Sequence, residues 1–343
     1  MRTKDSFTHQ ILEIAASCYS ISSGQLRYLG GSQNMVCEAQ QDSHDRILRI
    51  TPSSNRSKKL ILGELDWILF LANEGVSVST PLLSRYGELV EVIEQRDGSY
   101  ICVCFEKARG RTISYPECLQ DHHHLLYEKL GQLTGKLHAL SKNYQPQDPK
   151  NQRQDWSRNW FLQNMDLIPP FQAGVRESGF KLVETLRGLS KDPNLYGLIH
   201  GDIHTGNFMV DEHGEITLFD FDEAQYSWFA EDIAVQLYYL VYVYGGEEGK
   251  DSREDQARRF MAHFMKGYTR ENTLEDYWIP QIPLFLMLRE MIVYIGVFRN
   301  YDGDESFSSL NNQWLKDWIA ESKQRIEQSI PIVDIWNRGE NTK

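Results

Sequence analysis

Basic residues are the minority in this 343-residue chain: 36 Lys and Arg stand against 48 Asp and Glu, for a formal charge of −12. No basic run exceeds Lys58-Lys59 or Arg258-Arg259. Such a field repels polyanions, which argues against nucleic acid or an anionic membrane surface as a partner. Cysteine is sparse and odd in number, with only Cys18, Cys37, Cys102, Cys104 and Cys118. That excludes a disulfide framework. Cys102 and Cys104, two apart in an apolar stretch, fall on one face of a strand, and no second pair completes a metal site with them. Long apolar runs are also lacking. The most continuous, residues 233–244, spans 12 residues and includes Gln236, too short for a bilayer. Residues 1–20 carry Asp5 and Glu13 within their apolar stretch, unlike a secretory signal. These absences together predict a protein of the reducing cytoplasm. There is no internal repeat and no low-complexity segment. What remains is an ordinary globular composition, 41% hydrophobic and 24% charged, of a length that suits two domains or two lobes.

The hydrophobic pattern changes character near residue 106. Before it, Phe7, Ile11, Ile14, Ala15 and Cys18 recur at helical spacing, and three short strands follow at residues 26–29, 35–39 and 46–50. A helix over residues 57–73 carries Leu60, Ile61, Leu65, Ile68, Leu69 and Ala72 as its apolar stripe, and Gly75 ends it. Strands at 89–94 and 100–105 flank the Arg96-Asp97-Gly98 turn. Beyond residue 106 the chain reads as mainly helical. Leu126, Leu130, Leu133, Leu137 and Leu140 form one helix face, and further helices are predicted over residues 156–166, 179–189, 228–244, 256–268, 279–301 and 312–329. A β-rich island at 198–221 interrupts them. The predicted architecture is therefore α+β: a small β-rich N-terminal lobe, residues 1–107, and a larger mainly helical C-terminal lobe, residues 108–343. Ligand sites favour clefts between such lobes.

The chemistry concentrates in His200-Gly201-Asp202-Ile203-His204-Thr205-Gly206-Asn207, followed by Phe219-Asp220-Phe221-Asp222. In phosphoryl-transfer sites spaced H-x-D-x-x-x-x-N, the Asp orients the acceptor hydroxyl and the Asn holds a magnesium ion, while a later Asp chelates magnesium on the nucleotide phosphates. Asp202, Asn207 and Asp220 have that order. The stretch between reads as a hairpin turning at His213-Gly214, which returns Asp220 toward Asn207. From His200 to Asp232 there are nine acids (Asp202, Asp211, Glu212, Glu215, Asp220, Asp222, Glu223, Glu231, Asp232) and no Lys or Arg. A solvated surface accounts for Asp211, Glu212 and Glu215 at the turn. It accounts poorly for Asp220, which sits among Leu218, Phe219 and Phe221, so a metal site is predicted there. His204 lies inside the loop, where it either contacts phosphate or acceptor or only supports the loop.

The small lobe offers matching parts. Arg49 is a cation on a strand with apolar neighbours, placed to pair phosphates, and Glu64 on the following helix can hold it; Arg46 is the competing residue. Gly30-Gly31-Ser32, between two strands, can present backbone N–H groups to phosphate.

This combined pattern resembles the aminoglycoside phosphotransferase and choline kinase superfamily over nearly the whole chain. The sharpest likeness runs from Leu198 through Asp202 to Asn207, then from Leu218 to Ala224. The helix around Gly131, Gly135 and His138 and the segment Glu231-Asp232-Ile233-Ala234 add to it. The resemblance implies a bilobal protein-kinase-like fold, ATP as donor (with GTP a second candidate), and Mg²⁺ as metal. By the same resemblance Asp232 is a brace of the catalytic loop, Glu64 is the partner of the strand cation, and the adenine lies on the backbone of Phe105, Glu106 and Ala108. The usual strand Lys is Arg49 here, and the glycine loop is not the G-x-G-x-x-G of protein kinases.

The function this predicts is transfer of the γ-phosphoryl group to a hydroxyl of a small molecule. Asp222 and Glu223, beyond the metal ligands, either suit an amino-bearing alcohol such as an aminoglycoside, a choline-like compound or homoserine, or serve as capping or loop charges. A protein Ser/Thr kinase of the bacterial stress-response type is the second reading. It is disfavoured because only 12 residues separate Asp220 from Asp232, with no A-P-E motif and no room for a peptide platform. A catalytically inactive nucleotide-binding protein is the third, disfavoured because Arg49, Glu64, Asp202, Asn207 and Asp220 are all present. Nothing in the pattern specifies an oligomer.

Overall fold

The computed structural model describes residues 2–31, 33–40, 45–96, 98–118, 124–242, 252–300 and 311–336. In chain order the elements begin with α1 (Arg2–Cys18), β1 (Leu26–Gly30), β2 (Met35–Ala39), β3 (Arg46–Pro52), α2 (Lys58–Asn73), β4 (Pro81–Leu82), β5 (Glu91–Gln95) and β6 (Gly98–Glu106). Then come α3 (Tyr115–Cys118), α4 (His124–Ser141), α5 (Trp160–Gln163), α6 (Ala173–Arg187), β7 (Tyr196–Ile199), β8 (Phe208–Val210), β9 (Ile216–Leu218) and β10 (Gln225–Trp228). The chain finishes with α7 (Phe229–Tyr242), α8 (Arg253–Tyr268), α9 (Ile282–Asn300) and α10 (Gln313–Gln328). These elements fall into two compact units. The first draws on Met1–Arg111, Tyr144–Arg153 and Phe208–Asp222, and the second on Thr112–Asn143, Gln154–Asn207 and Glu223–Lys343.

The first unit is built on an antiparallel sheet in the order β1-β2-β3-β6-β4, with β5 also paired to β6. Strand alternation sends Leu48, Ile50, Cys102 and Cys104 to one face, where they pack with Ile11, Ala15 and Cys18 of α1. Arg49 therefore points to the opposite face, paired in register with Val36 and Val103. There it meets α2, whose first turn is capped by Ser57 accepting the Leu60 N–H at 3.3 Å. The hairpin β8–β9 joins this unit through bridges from Val78 to Leu218 and from Arg111 to Val210.

The second unit is helical, with β7 and β10 as its two-stranded ribbon. Gly131 and Gly135 of α4 let the backbone of α8 come close, since a Cβ on Gly131 would stand 1.9 Å from the Phe264 carbonyl oxygen. α7 is buried along nearly its whole length. α9, with the turn before it, is apolar enough over Ile279–Arg299 to pass as a bilayer span, yet most of its apolar part is buried inside the protein. It outruns the apolar run at 233–244 because it absorbs two charges, Arg289 and Glu290, both buried.

Three elements differ from the sequence pattern. Residues 156–166 do not form one helix but three single turns, because Asp155 and Asn159 each accept a backbone N–H two residues on (Ser157 at 3.0 Å, Phe161 at 3.1 Å) and restart the chain. β4 is only two residues at the sheet edge and opens with proline. β10 takes Trp228, which the periodicity places at a helix start.

Candidate active site

In the second unit, β7 ends at Ile199 and the chain turns into the segment from His200 to Asn207. Gly201 has φ +78°, and a Cβ there would lie 2.7 Å from the Glu223 carbonyl oxygen, so the turn requires glycine. Asp232, fully buried in the first turn of α7, accepts the N–H groups of His200 (3.1 Å) and Gly201 (2.8 Å). His138 lies 3.2 Å away through Nε2 and meets the Tyr268 hydroxyl through Nδ1 at 2.9 Å. Burial alone would raise the Asp232 pKa, but the His138 hydrogen bond and the loop amide outweigh it and hold the carboxyl below its ordinary value. Burial depresses the His138 pKa against the pull of Asp232, whose carboxylate accepts from Nε2.

Asp202 is thereby presented with its side chain about one-fifth exposed. Its Oδ2 accepts from Asn207 Nδ2 at 3.1 Å and lies 3.6 Å from His204 Nε2. Its Oδ1 takes a hydrogen bond from Arg289 of α9. Burial would push this carboxyl up, yet Arg289 and His204 bring it down to about 2, so it is ionised throughout the physiological range. Asn207 also donates to the Asp202 carbonyl at 2.9 Å. Both Nδ2 donations go to Asp202, so the amide oxygen points elsewhere. The His204 ring accepts from Gly206 N–H at 3.0 Å and sits against Tyr239, with centroids 4.8 Å apart. Glu223 is half-buried within the field of Arg289.

In the first unit, Arg49 and Glu64 form a buried two-pronged pair at 2.8 and 2.7 Å. Arg46, the alternative, instead donates to the Tyr19 carbonyl at 3.2 Å. Arg49 Nη1 also lies 3.8 Å from Asp220 Oδ1. Asp220 has φ +62°, a left-handed conformation uncommon for a non-glycine residue, and its side chain is 47% exposed. Asp222 is buried and accepts from Arg56 Nε at 3.2 Å and from Asn34. Asn34 closes the glycine turn, where Gly30 and Gly31 have φ of +112° and +131°. A Cβ on Gly31 would stand 2.0 Å from the Asn34 carbonyl oxygen. Ser32 lies outside the described residues. Phe105 is buried beneath the Arg49 guanidinium, 5.2 Å from its centroid. The Glu106 carbonyl accepts from Ser79 Oγ, and Ala108 is buried. Among the described residues no three His, Cys, Asp or Glu side chains converge as a metal cage. Asp220 in the first unit carries a carboxylate and Asn207 in the second an amide oxygen, each a hard donor of the type that suits magnesium. Arg289 and Tyr239 are the residues the sequence reading misses.

The profile described as "Phosphotransferase enzyme family" matches residues 25–271. The chain belongs to that family, and with it to the small-molecule kinases of protein-kinase-like fold. Amicoumacin kinase of Bacillus subtilis (strain 168) is 36% identical over 333 residues, covering 94% of this chain and 93% of the relative. Among solved structures, an amicoumacin kinase in complex with AMP-PNP, Ca²⁺ and Ami superposes with a TM-score of 0.85 at 34% identity, over 96% of this chain and 97% of the other. A microcompartment-associated aminopropanol kinase shares the fold, with a TM-score of 0.75 at 21% identity over 94% and 99% of the two chains.

Proposed function

We propose that this kinase transfers the γ-phosphoryl group of ATP, with Mg²⁺, to a hydroxyl of an amino-bearing small molecule, and that amicoumacin is that acceptor. The observation that carries the reading is Asp202, an ionised and partly exposed carboxylate fixed by Arg289 and Asn207 on a loop anchored by Asp232. A carboxylate held this way orients a hydroxyl for in-line attack more than it deprotonates it, since at a pKa of about 2 it is a weak base. Likeness to an amicoumacin kinase over 94% of the chain supports the choice of acceptor.

We assign the other roles residue by residue. Residues 1–107 bind the nucleotide, with the adenine edge on the backbone of Phe105, Glu106 and Ala108, the phosphates under the amides of Gly30 and Gly31, and Arg49 held to the phosphates by Glu64. Residues 108–343 carry catalysis and acceptor binding. Asn207 and Asp220 supply the oxygen ligands of the divalent cation. When bound, that cation neutralises charge on the phosphates. Asp222 is committed to Arg56, so it secures the glycine turn through Asn34. Glu223 and His204 face the acceptor. The five buried thiols, none in a disulfide, suit the reducing cytoplasm, where we place the reaction.

The test is ADP release with ATP and Mg²⁺ in the presence of amicoumacin, kanamycin, choline or homoserine, with the phosphorylated product identified by mass. GTP is tried alongside. Amicoumacin should give the largest kcat/KM. Asp202→Asn should lower kcat by about 100-fold or more while AMP-PNP still binds. Turnover near wild type in that variant, or no transfer to any of these acceptors, would sink the reading.

A further inference from the structure

We propose that Arg289 is a positioning residue for phosphoryl transfer: it fixes the Asp202 carboxylate so that Oδ2 is presented to the acceptor hydroxyl. The proposal rests on the reading of Asp202 given above. Arg289 enters from α9, 87 residues beyond Asp202, and is buried. Its guanidinium is used in three directions at once. Nη2 donates to Asp202 Oδ1 and to the Tyr239 hydroxyl, Nη1 donates to the Gly201 carbonyl at 3.3 Å, and the plane lies over the Tyr239 ring at 4.8 Å.

The loop backbone does not need this cation. Asp232 already takes the amides of His200 and Gly201, and Asn207 already ties its own side chain to the Asp202 carbonyl. What Arg289 adds is a charged hold on Oδ1 of Asp202, whose Oδ2 accepts only the neutral Asn207 amide at 3.1 Å among the hydrogen bonds described. With Oδ1 occupied by a fixed cation, the carboxylate cannot rotate freely, and the oxygen left toward Asn207 and His204 is Oδ2. A preset acceptor geometry of this kind is worth more in phosphoryl transfer than added basicity. Arginine suits the place because its planar fork reaches carboxylate, carbonyl and phenol together, which a lysine ammonium on a flexible stem does not.

The experiment is a double-mutant cycle in the full chain with D202N, R289M, R289K and D202N/R289M. The readouts are kcat and KM with ATP, Mg²⁺ and amicoumacin, ADP release to water without acceptor, and AMP-PNP affinity by calorimetry. Arg289→Met should lower kcat by about 100-fold, with KM for the acceptor and AMP-PNP affinity within about threefold of wild type. Arg289→Lys should recover about tenfold of that loss. Because Arg289 acts through Asp202, the double variant should be no slower than D202N, within about threefold.

The proposal is overturned if R289M keeps kcat within about threefold of wild type, if only KM or nucleotide affinity moves, or if the two losses multiply. Should R289M fail to fold, R289K decides: wild-type kcat in that variant overturns the proposal, and a selective loss of kcat supports it. A fully active D202N would instead sink the reading of Asp202 itself, so the two failures are distinguishable. The cycle run on ADP release to water does not depend on the acceptor's identity.

Discussion

Breaking the pair between Arg49 and Glu64 separates what holds the sheet unit together from what binds nucleotide. Arg49 is 4% exposed and Glu64 is 0% exposed, joined by two hydrogen bonds of 2.8 and 2.7 Å. Removing one partner of such a pair strands the other charge in a dry interior. That costs about 3–5 kcal/mol, far above the roughly 0.5 kcal/mol expected were Arg49 an exposed strand residue. Arg49→Met should therefore destabilise the protein by about that amount. Asp220, at 3.8 Å, loses its neighbouring cation as well. Glu64→Leu should destabilise it somewhat less, because the guanidinium loses both short hydrogen bonds but keeps Asp220 at 3.8 Å. The double variant Arg49→Met/Glu64→Leu buries two apolar side chains of comparable volume and should return to within about 1–2 kcal/mol of wild type.

Nucleotide affinity should not return with stability. A charge-assisted contact to phosphate is worth about 1.5–3 kcal/mol, so Arg49→Met and the double variant should both bind AMP-PNP about 10- to 100-fold more weakly. Glu64→Leu keeps the cation and should lose less. Urea denaturation measures the stability limb of this cycle, and calorimetric titration of AMP-PNP with Mg²⁺ measures the binding limb. If the single variants cost less than about 1 kcal/mol, or if their stability effects simply add, the pair is not the buried unit argued here. If affinity recovers together with stability in the double variant, Arg49 serves the fold and not the phosphates.

Gly31→Ala should weaken AMP-PNP binding and cost about 2 kcal/mol of stability, because φ is +131° and the new Cβ meets the Asn34 carbonyl oxygen at 2.0 Å; unchanged urea stability and affinity would refute it. Asp220→Ala should abolish the tightening of ATP binding by Mg²⁺, measured by calorimetry with and without the ion; a full magnesium effect in the variant would move the ligand role elsewhere. Burial first, then the adjacent Asp232 charge, raise the Glu231 pKa to about 7 against hydrogen bonds from Ser227 and Gln225. The folded protein thus keeps a proton that the unfolded chain releases near 4.5, so Glu231 makes stability fall by about 3 kcal/mol as pH rises from about 4.5 to 7, and level off above. Glu231→Gln should remove that fall in urea titrations at pH 5, 6, 7 and 8; an unchanged pH dependence would show that Glu231 is already ionised in the folded state.

What could be read from the sequence was local in the chain. The strand pattern at 35–39, the apolar stripe of α2, and the six-residue span from Asp202 to Asn207 each depend on neighbours within a few positions, where periodicity and turn chemistry speak directly. The pair Arg49 and Glu64 was within reach because strand and helix follow one another. One miss is local, the Asp155 and Asn159 caps that break residues 156–166 into single turns, and others come from pairings that cross the sequence. β10 pairs with β7 from 26 residues away, Ile199 to Gln225, and its four residues carry too short an alternation to stand out from the helix that follows. Arg289 is the instructive case. No spacing links it to Asp202, yet α9 does carry a signal: between Ile282 and Phe298 the only charges are Arg289 and Glu290, side by side. Adjacent positions on a helix point about 100° apart, so a helix buried on most sides must satisfy the two charges on different partners. Arg289 turns to Asp202, and Glu290 turns to Arg325 of α10, at 2.6 and 2.9 Å. The apolar helix thus predicts that both charges are buried and paired. Only the fold can say with what, because partner choice depends on which elements pack beside it, and that information is spread over the whole chain.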